Sequence, residues 1–164
     1  MLRNLLVNAV LLAAVVWGML DNEIIFAEAQ AVTATGDTAS TNVYDCGGAN
    51  GQGDAGQTGE NLWVQAFCST TATSGGSATV QAVLQDSADN STFADVIAGA
   101  VVAVASVTAG TALLQVQPPP GMRRYWRVAW RVGTAVLTAG KFDAFVSNTL
   151  QRNIARTSGI PAIS

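Results

Sequence analysis

The chain of 164 residues contains no histidine, one lysine and two cysteines, and only 12% of it is charged. Each scarcity excludes something. Without histidine there is no Ser-His-Asp or Cys-His arrangement, and the commonest general base and metal ligand are missing. Cys46 and Cys68 cannot build a zinc site alone, and their spacing fits no metal or redox motif. Two small core residues, or one bridge between neighbouring strands, account for them. The charged share is about half the usual one, so the surface must be Ser, Thr, Asn, Gln, Gly and Ala. Such a surface suits packing against neighbours. A net charge of −3 gives no general basic footprint for nucleic acid.

What is present is strand pattern. In residues 123–132, Arg124, Trp126, Val128, Trp130 and Val132 alternate with Arg123, Tyr125, Arg127, Ala129 and Arg131. That period of two predicts a half-buried β-strand, because successive strand side chains point to opposite faces. One face offers two tryptophans to a core. The other offers Arg123, Arg127 and Arg131, each roughly 13 Å from the next at strand rise. Either this stripe is a solvated sheet face, or it grips carboxylates of a partner.

Similar runs recur at 23–26, 30–35, 42–46, 62–69, 78–85, 93–97, 101–107, 112–117 and 142–147. Turn signals separate them, notably a Gly-rich stretch at 47–61, Gly75-Gly76, a polar turn at 86–92 and Pro118-Pro119-Pro120-Gly121. Short strands at this spacing predict an all-β sandwich or barrel. Gly51, Gly53 and Gly56 match a dinucleotide fingerprint, but no helix pattern follows, so the stretch reads as a loop. Asp86, Asp89 and Asp95 do not have calcium-loop spacing and read as turn residues. The triplet Asn90-Ser91-Thr92 carries little weight by itself.

Residues 1–18 stand apart. They are apolar, shorter than the roughly 18–20 residues of a spanning helix, and read as an over-called start, an arm, or a signal-like segment ahead of Ala27-Glu28-Ala29. Residues 19–147 form the expected domain, and residues 148–164 a tail.

From Met19 onward the order of segments resembles the tailed-bacteriophage capsid cement (decoration) proteins. The resemblance lies in MLDNEIIFAEAQAVTATGDTASTNVYDCG (19–47), SGGSATVQAVLQDSADNSTF (74–93), PPPGMRRYWRVAW (118–130) and LTAGKFDAFV (137–146). Cys46, where an aliphatic residue would be expected, and the extension before Met19 depart from it. The resemblance implies a jelly-roll-like antiparallel β-sandwich that forms homotrimers on the outside of a capsid built by the major capsid protein and assembled in the host cytoplasm. It implies no enzyme activity and no cofactor, and it ranks the over-called start or arm above the signal-like segment; no metal, nucleic acid, small-molecule substrate or membrane in the mature state is expected. The expected contact residues are Arg123, Arg127 and Arg131, with Asp21, Glu23, Ile24 and Phe26 before the domain and Arg152 and Arg156 after it. A secreted or surface-anchored β-sandwich adhesin or carbohydrate-binding module is the rival reading.

Overall fold

The computed structural model describes residues 24–47 and 62–150. The signal-like residues 1–18, the glycine fingerprint, and the tail from residue 151 lie outside the described residues, as do Asp21, Glu23, Arg152 and Arg156.

The described residues form ten strands: β1 Ile25–Ala31, β2 Gly36–Ala39, β3 Tyr44–Asp45, β4 Trp63–Thr73, β5 Thr79–Ser87, β6 Ala94–Ala98, β7 Val102–Ala103, β8 Ala112–Val116, β9 Tyr125–Gly133 and β10 Ala139–Ser147. They form a four-stranded sheet in the order β1-β10-β4-β8 and a six-stranded sheet with the path β2-β9-β5-β6. In the second sheet, β3 extends the ladder along β9 and β7 that along β5. All pairings are antiparallel. Leaving out the two-residue β3 and β7, the eight main strands wind between the sheets in the double Greek-key order of a jelly roll.

The core lies between the sheets. Val64, Ala66 and Cys68 of β4, and Phe142, Ala144 and Val146 of β10, face Val80, Ala82 and Leu84 of β5, with Trp126, Val128, Trp130 and Val132 of β9. This is the alternation read from the sequence. Among the described residues, Trp130 is the largest fully buried side chain. Its ring centroid lies 5.0 Å from that of Phe142 across the sandwich, and its indole N–H donates to Gln30 Oε1 at 3.2 Å. The Gln30 amide also donates to the Ala39 carbonyl and accepts from the Thr41 N–H. One β1 side chain thus joins the two sheets where the chain crosses between them. Among the described residues, no buried side-chain nitrogen or oxygen lacks a hydrogen-bond partner.

Several strand limits differ from the sequence pattern. β4 runs through Thr73, past the expected end at Ser69, because Thr70 and Thr73 pair with Lys141 and Ala139 of an equally extended β10; β-branched threonines suit a pleated surface. The run at 101–107 is not one strand. Only Val102–Ala103 pair, and Val104–Ser106 form a 3-10 helix, since alternating Val and Ala fit either state. The run at 30–35 gives its first two residues to β1, while β2 begins at Gly36. At Gly99 backbone lies close to backbone: a Cβ there would lie 2.3 Å from the Leu113 carbonyl oxygen.

Candidate interaction face

The outer face of the six-stranded sheet is built around β9. In antiparallel pairs, directly opposed residues share a face. The ladder sets Arg131 opposite Asp37 of β2 and Gln81 of β5, and Arg127 opposite Gln85 of β5; Gln85 in turn opposes Asp95 of β6. These side chains cover Val83 and Ala129, which are buried on this outer side of the sheet although they are not part of the central core.

The charges form a chain of contacts. Arg131 grips Asp37 with both Nε and Nη2, at 2.7 and 2.8 Å, and reaches Asp95 at 3.0 Å. Asp95 accepts the Gln85 amide at 2.7 Å, and Gln85 Oε1 accepts Arg127 Nε at 2.8 Å. The Phe93 ring covers the Arg127 guanidinium, with its centroid 3.8 Å from the guanidinium carbon. The Arg131 hydrogen bonds hold the Asp37 carboxyl below the usual carboxylate range. They push Arg131 itself upward, with Asp37 the larger cause and Asp95 the second. Arg127 moves the other way: burial lowers its pKa, and only the field of Asp37 opposes the shift.

The expected stripe of three arginines is corrected here. β9 begins at Tyr125, so the strict alternation does not extend back to Arg123 and Arg124. Arg123 turns to the end of the sandwich. There its backbone N–H and its Nε each donate to Asp86 at 2.8 Å, and Nη2 bonds both the carboxylate and the carbonyl of Asp86. Burial raises the Asp86 pKa, but the bonds from Arg123 outweigh it and leave the carboxyl below its ordinary value. Arg124, expected on the tryptophan face, instead pairs with Asp45 of β3 at 2.6 and 2.8 Å and lies over the Tyr125 ring at 4.9 Å. The expectation of a bare positive stripe also fails. Arg123, Arg124 and Arg131 are each neutralised by a carboxylate of the same chain.

The N-terminal contact residues need a second correction. Phe26 is fully buried in the core, and Ile24 is partly buried against it. Both belong to the entry of β1, whose residues pair with β10 from Ile25 to Ala31. Phe26 is therefore not free to reach a neighbour, whereas Ile24 keeps part of its side chain exposed.

Sequence reasoning missed Asp37, Gln85, Phe93 and Asp95 as members of this face. Gln85 and Asp95 flank the polar turn at 86–92, and hairpin register could have placed them opposite each other. Asp89, not Asp95, does the turn chemistry: its carboxylate accepts from the Ser91 and Thr92 N–H groups. Asn90 beside it is left-handed, at φ 57°.

Cys46 and Cys68 are free thiols. Burial pushes the Cys46 thiol up to about 12 and raises that of Cys68, so neither is a ready thiolate. Among the described residues, no group of three or more His, Cys, Asp or Glu side chains is placed to hold a metal ion.

The outer face of the four-stranded sheet is different in kind. Trp63 and Phe67 of β4 are partly exposed there, with Phe67 stacked on Phe145 at 6.0 Å between centroids. Gln65, fully buried between them along the strand, donates to Ser147 Oγ and to the Thr149 carbonyl and accepts from Gln115. This network fixes the chain just beyond β10.

The family model Bbp16 matches residues 26–146, from the first core residue of β1 to the last of β10. The chain belongs to the Bbp16 family. No match was found among curated proteins.

Proposed function

We propose that this protein is a capsid decoration protein: a homotrimeric jelly roll that binds the outer surface of an assembled phage capsid and stabilises contacts between capsomers. The observation that carries the reading is the coincidence of segment order with fold. The segments that resemble cement proteins supply β1, β2, β3 and β5 and most of β9 and β10, which run through both sheets. The jelly roll is an architecture used in viral capsids.

The surface supports the same reading. Its charges are mostly cancelled within the chain, and low-charge surfaces lose little on desolvation when they are packed against a neighbour. Binding only to the assembled shell stabilises that shell by mass action, and many symmetric sites multiply the effect. The partners are the major capsid protein and further copies of this chain, at the capsid exterior. On this reading the work is mechanical and electrostatic, with no catalytic step or cofactor.

Mass spectrometry of purified virions tests the reading, and identifies the first residue of the mature chain. Addition of the purified protein to capsids assembled without it should restore their resistance to heat or low salt. Light scattering should give a trimer. Absence from virions, together with no binding to such capsids, would refute the proposal.

A second reading keeps one supporting observation. Jelly rolls also serve as lectins, and the partly exposed Trp63 and Phe67 provide aromatic rings on one sheet face. A glycan array separates this adhesin reading from the first.

A further inference from the structure

Arg127 differs from the other described arginines. Arg123, Arg124 and Arg131 each hold a carboxylate. Arg127 holds none among the described residues: its Nε donates to the neutral Gln85 amide, and a ring covers one of its faces. Neither of its terminal nitrogens has a hydrogen-bond acceptor among the described residues.

The missing carboxylate has a cause in the fold. On one flank of β9, Asp37 of β2 opposes Arg131 and Asp45 of β3 opposes Tyr125. Between those two points the neighbouring chain leaves the ladder: β2 ends at Ala39 and β3 begins at Tyr44. The position across from Arg127 therefore receives no strand residue. On the other flank stands Gln85, whose own amide is committed to Asp95. Among the described residues, the nearby arginines Arg124 and Arg131 are paired with carboxylates and Arg127 is not.

What surrounds it is a receptor geometry. Gln85 at Nε and Phe93 over the plane fix the orientation of the guanidinium, so little rotamer freedom remains to be lost on binding. The free edge carries the N–H groups that suit a carboxylate in a two-pronged contact. Of the flanking groups, Arg131 with Asp37 and Asp95 carries one net negative charge and Arg124 with Asp45 carries none, so attraction for a carboxylate is confined to the Arg127 edge. A partner carboxylate would therefore be drawn to one point on the face rather than to a diffuse field.

We propose that Arg127 is the recognition cation of this face, and that its occupant is an aspartate or glutamate carboxylate on the outer surface of the capsid subunit. This rests on the capsid reading above. The contact fixes orientation and partner choice more than total affinity.

Capsids assembled without this protein are titrated with wild type, R127Q and K141Q, and bound copies are measured by sedimentation. Melting curves confirm that each variant is folded. Wild type should saturate the capsids. R127Q should need at least tenfold more protein for half-saturation, and its binding should depend less steeply on salt. K141Q, which removes an exposed cation from β10 of the other sheet, should bind within about threefold of wild type.

An R127K variant supplies a readout independent of affinity. Carbodiimide treatment of the occupied capsid should join the introduced amine to a capsid Asp or Glu, identified by peptide mass. R127Q binding within twofold of wild type, or occupied R127K capsids giving no cross-link from position 127, would overturn the assignment while leaving the capsid reading intact. A cross-link to a second copy of this chain would also overturn it, by placing the carboxylate in the trimer. Failure of wild type to bind any capsid would remove the capsid reading and this occupant together.

Discussion

Trp130→Ala is the sharpest test of how β9 divides its two faces. Trp130 is fully buried, and burying an aromatic of this class removes roughly 150–250 Å² from water. At about 25 cal/mol per Å² that corresponds to roughly 4–6 kcal/mol, in line with the roughly 3–5 kcal/mol typical of Phe or Trp truncation in a core. The contact with Phe142, at 5.0 Å between centroids, adds to the loss. The hydrogen bond to Gln30 adds little, because Gln30 Oε1 keeps the Thr41 N–H as a donor. One residue further on, Arg131 sits on the opposite face, with its side chain and those of its two partners all more than a third exposed. Exposed pairs of this kind contribute about 0–1 kcal/mol each. Urea unfolding at fixed protein concentration should therefore show a loss of about 3–5 kcal/mol for Trp130→Ala and no more than about 1 kcal/mol for Arg131→Gln. In a domain of this size the first corresponds to a fall in Tm of roughly 6–20 °C. Equal losses for the two variants would refute the assignment of faces.

Gly99→Ala should destabilise by about 1–3 kcal/mol, the usual range for overpacking, because the new methyl carbon would meet the Leu113 carbonyl oxygen at 2.3 Å; an unchanged urea midpoint would refute that approach. Thr134 is a β-branched residue at φ 71° in a tight turn in which the Ala135 N–H bonds the Gly133 carbonyl. Thr134→Gly should raise Tm by a few degrees, since strain of about 1–3 kcal/mol exceeds the roughly 0.5–1 kcal/mol that glycine loses in chain entropy; a lower Tm would show the turn is unstrained. Asp37, Asp45, Asp86 and Asp89 all have pKa values below the ordinary carboxylate value. Their contribution is therefore complete above the unfolded pKa of about 3.9 and is lost as pH falls through the lower folded values. Urea midpoints should be nearly flat between about pH 5 and 8, where no histidine titrates, and should drop below about pH 4; a midpoint that rises on acidification would contradict the paired carboxylates.

The fold was legible where side-chain period is unambiguous. Trp126, Val128, Trp130 and Val132 face the core as their alternation requires, and the antiparallel sandwich follows from short strands with frequent turns. Pattern failed where two states share it. Val and Ala alternate in 101–107, yet most of that run is not strand, because a 3-10 helix has no apolar signature over so few residues. It failed at strand ends too. Arg123 and Arg124 continue the alternation of β9 in letters, but the strand begins after them, so their faces are set by Asp86 and Asp45 instead.

The charged face was legible only in half, and the reason is sequence distance. The alternation of β9 places Arg127 and Arg131 together using neighbouring residues alone. Their partners Asp37, Gln85 and Asp95 lie on other strands, separated from them by 94, 42 and 36 positions. No local pattern connects such positions; the strand order β2-β9-β5-β6 does. A count of arginines on one strand therefore overstates the field of that face. The sheet supplies acids beside most of them, and the meaningful feature becomes the exception. Arg127 stands where β2 has ended and β3 has not begun, so the same gap in the ladder that leaves its neighbouring position empty also leaves it without a direct ion pair among the described residues. A sequence shows the cation; only the topology shows that no acid among the described residues pairs with it.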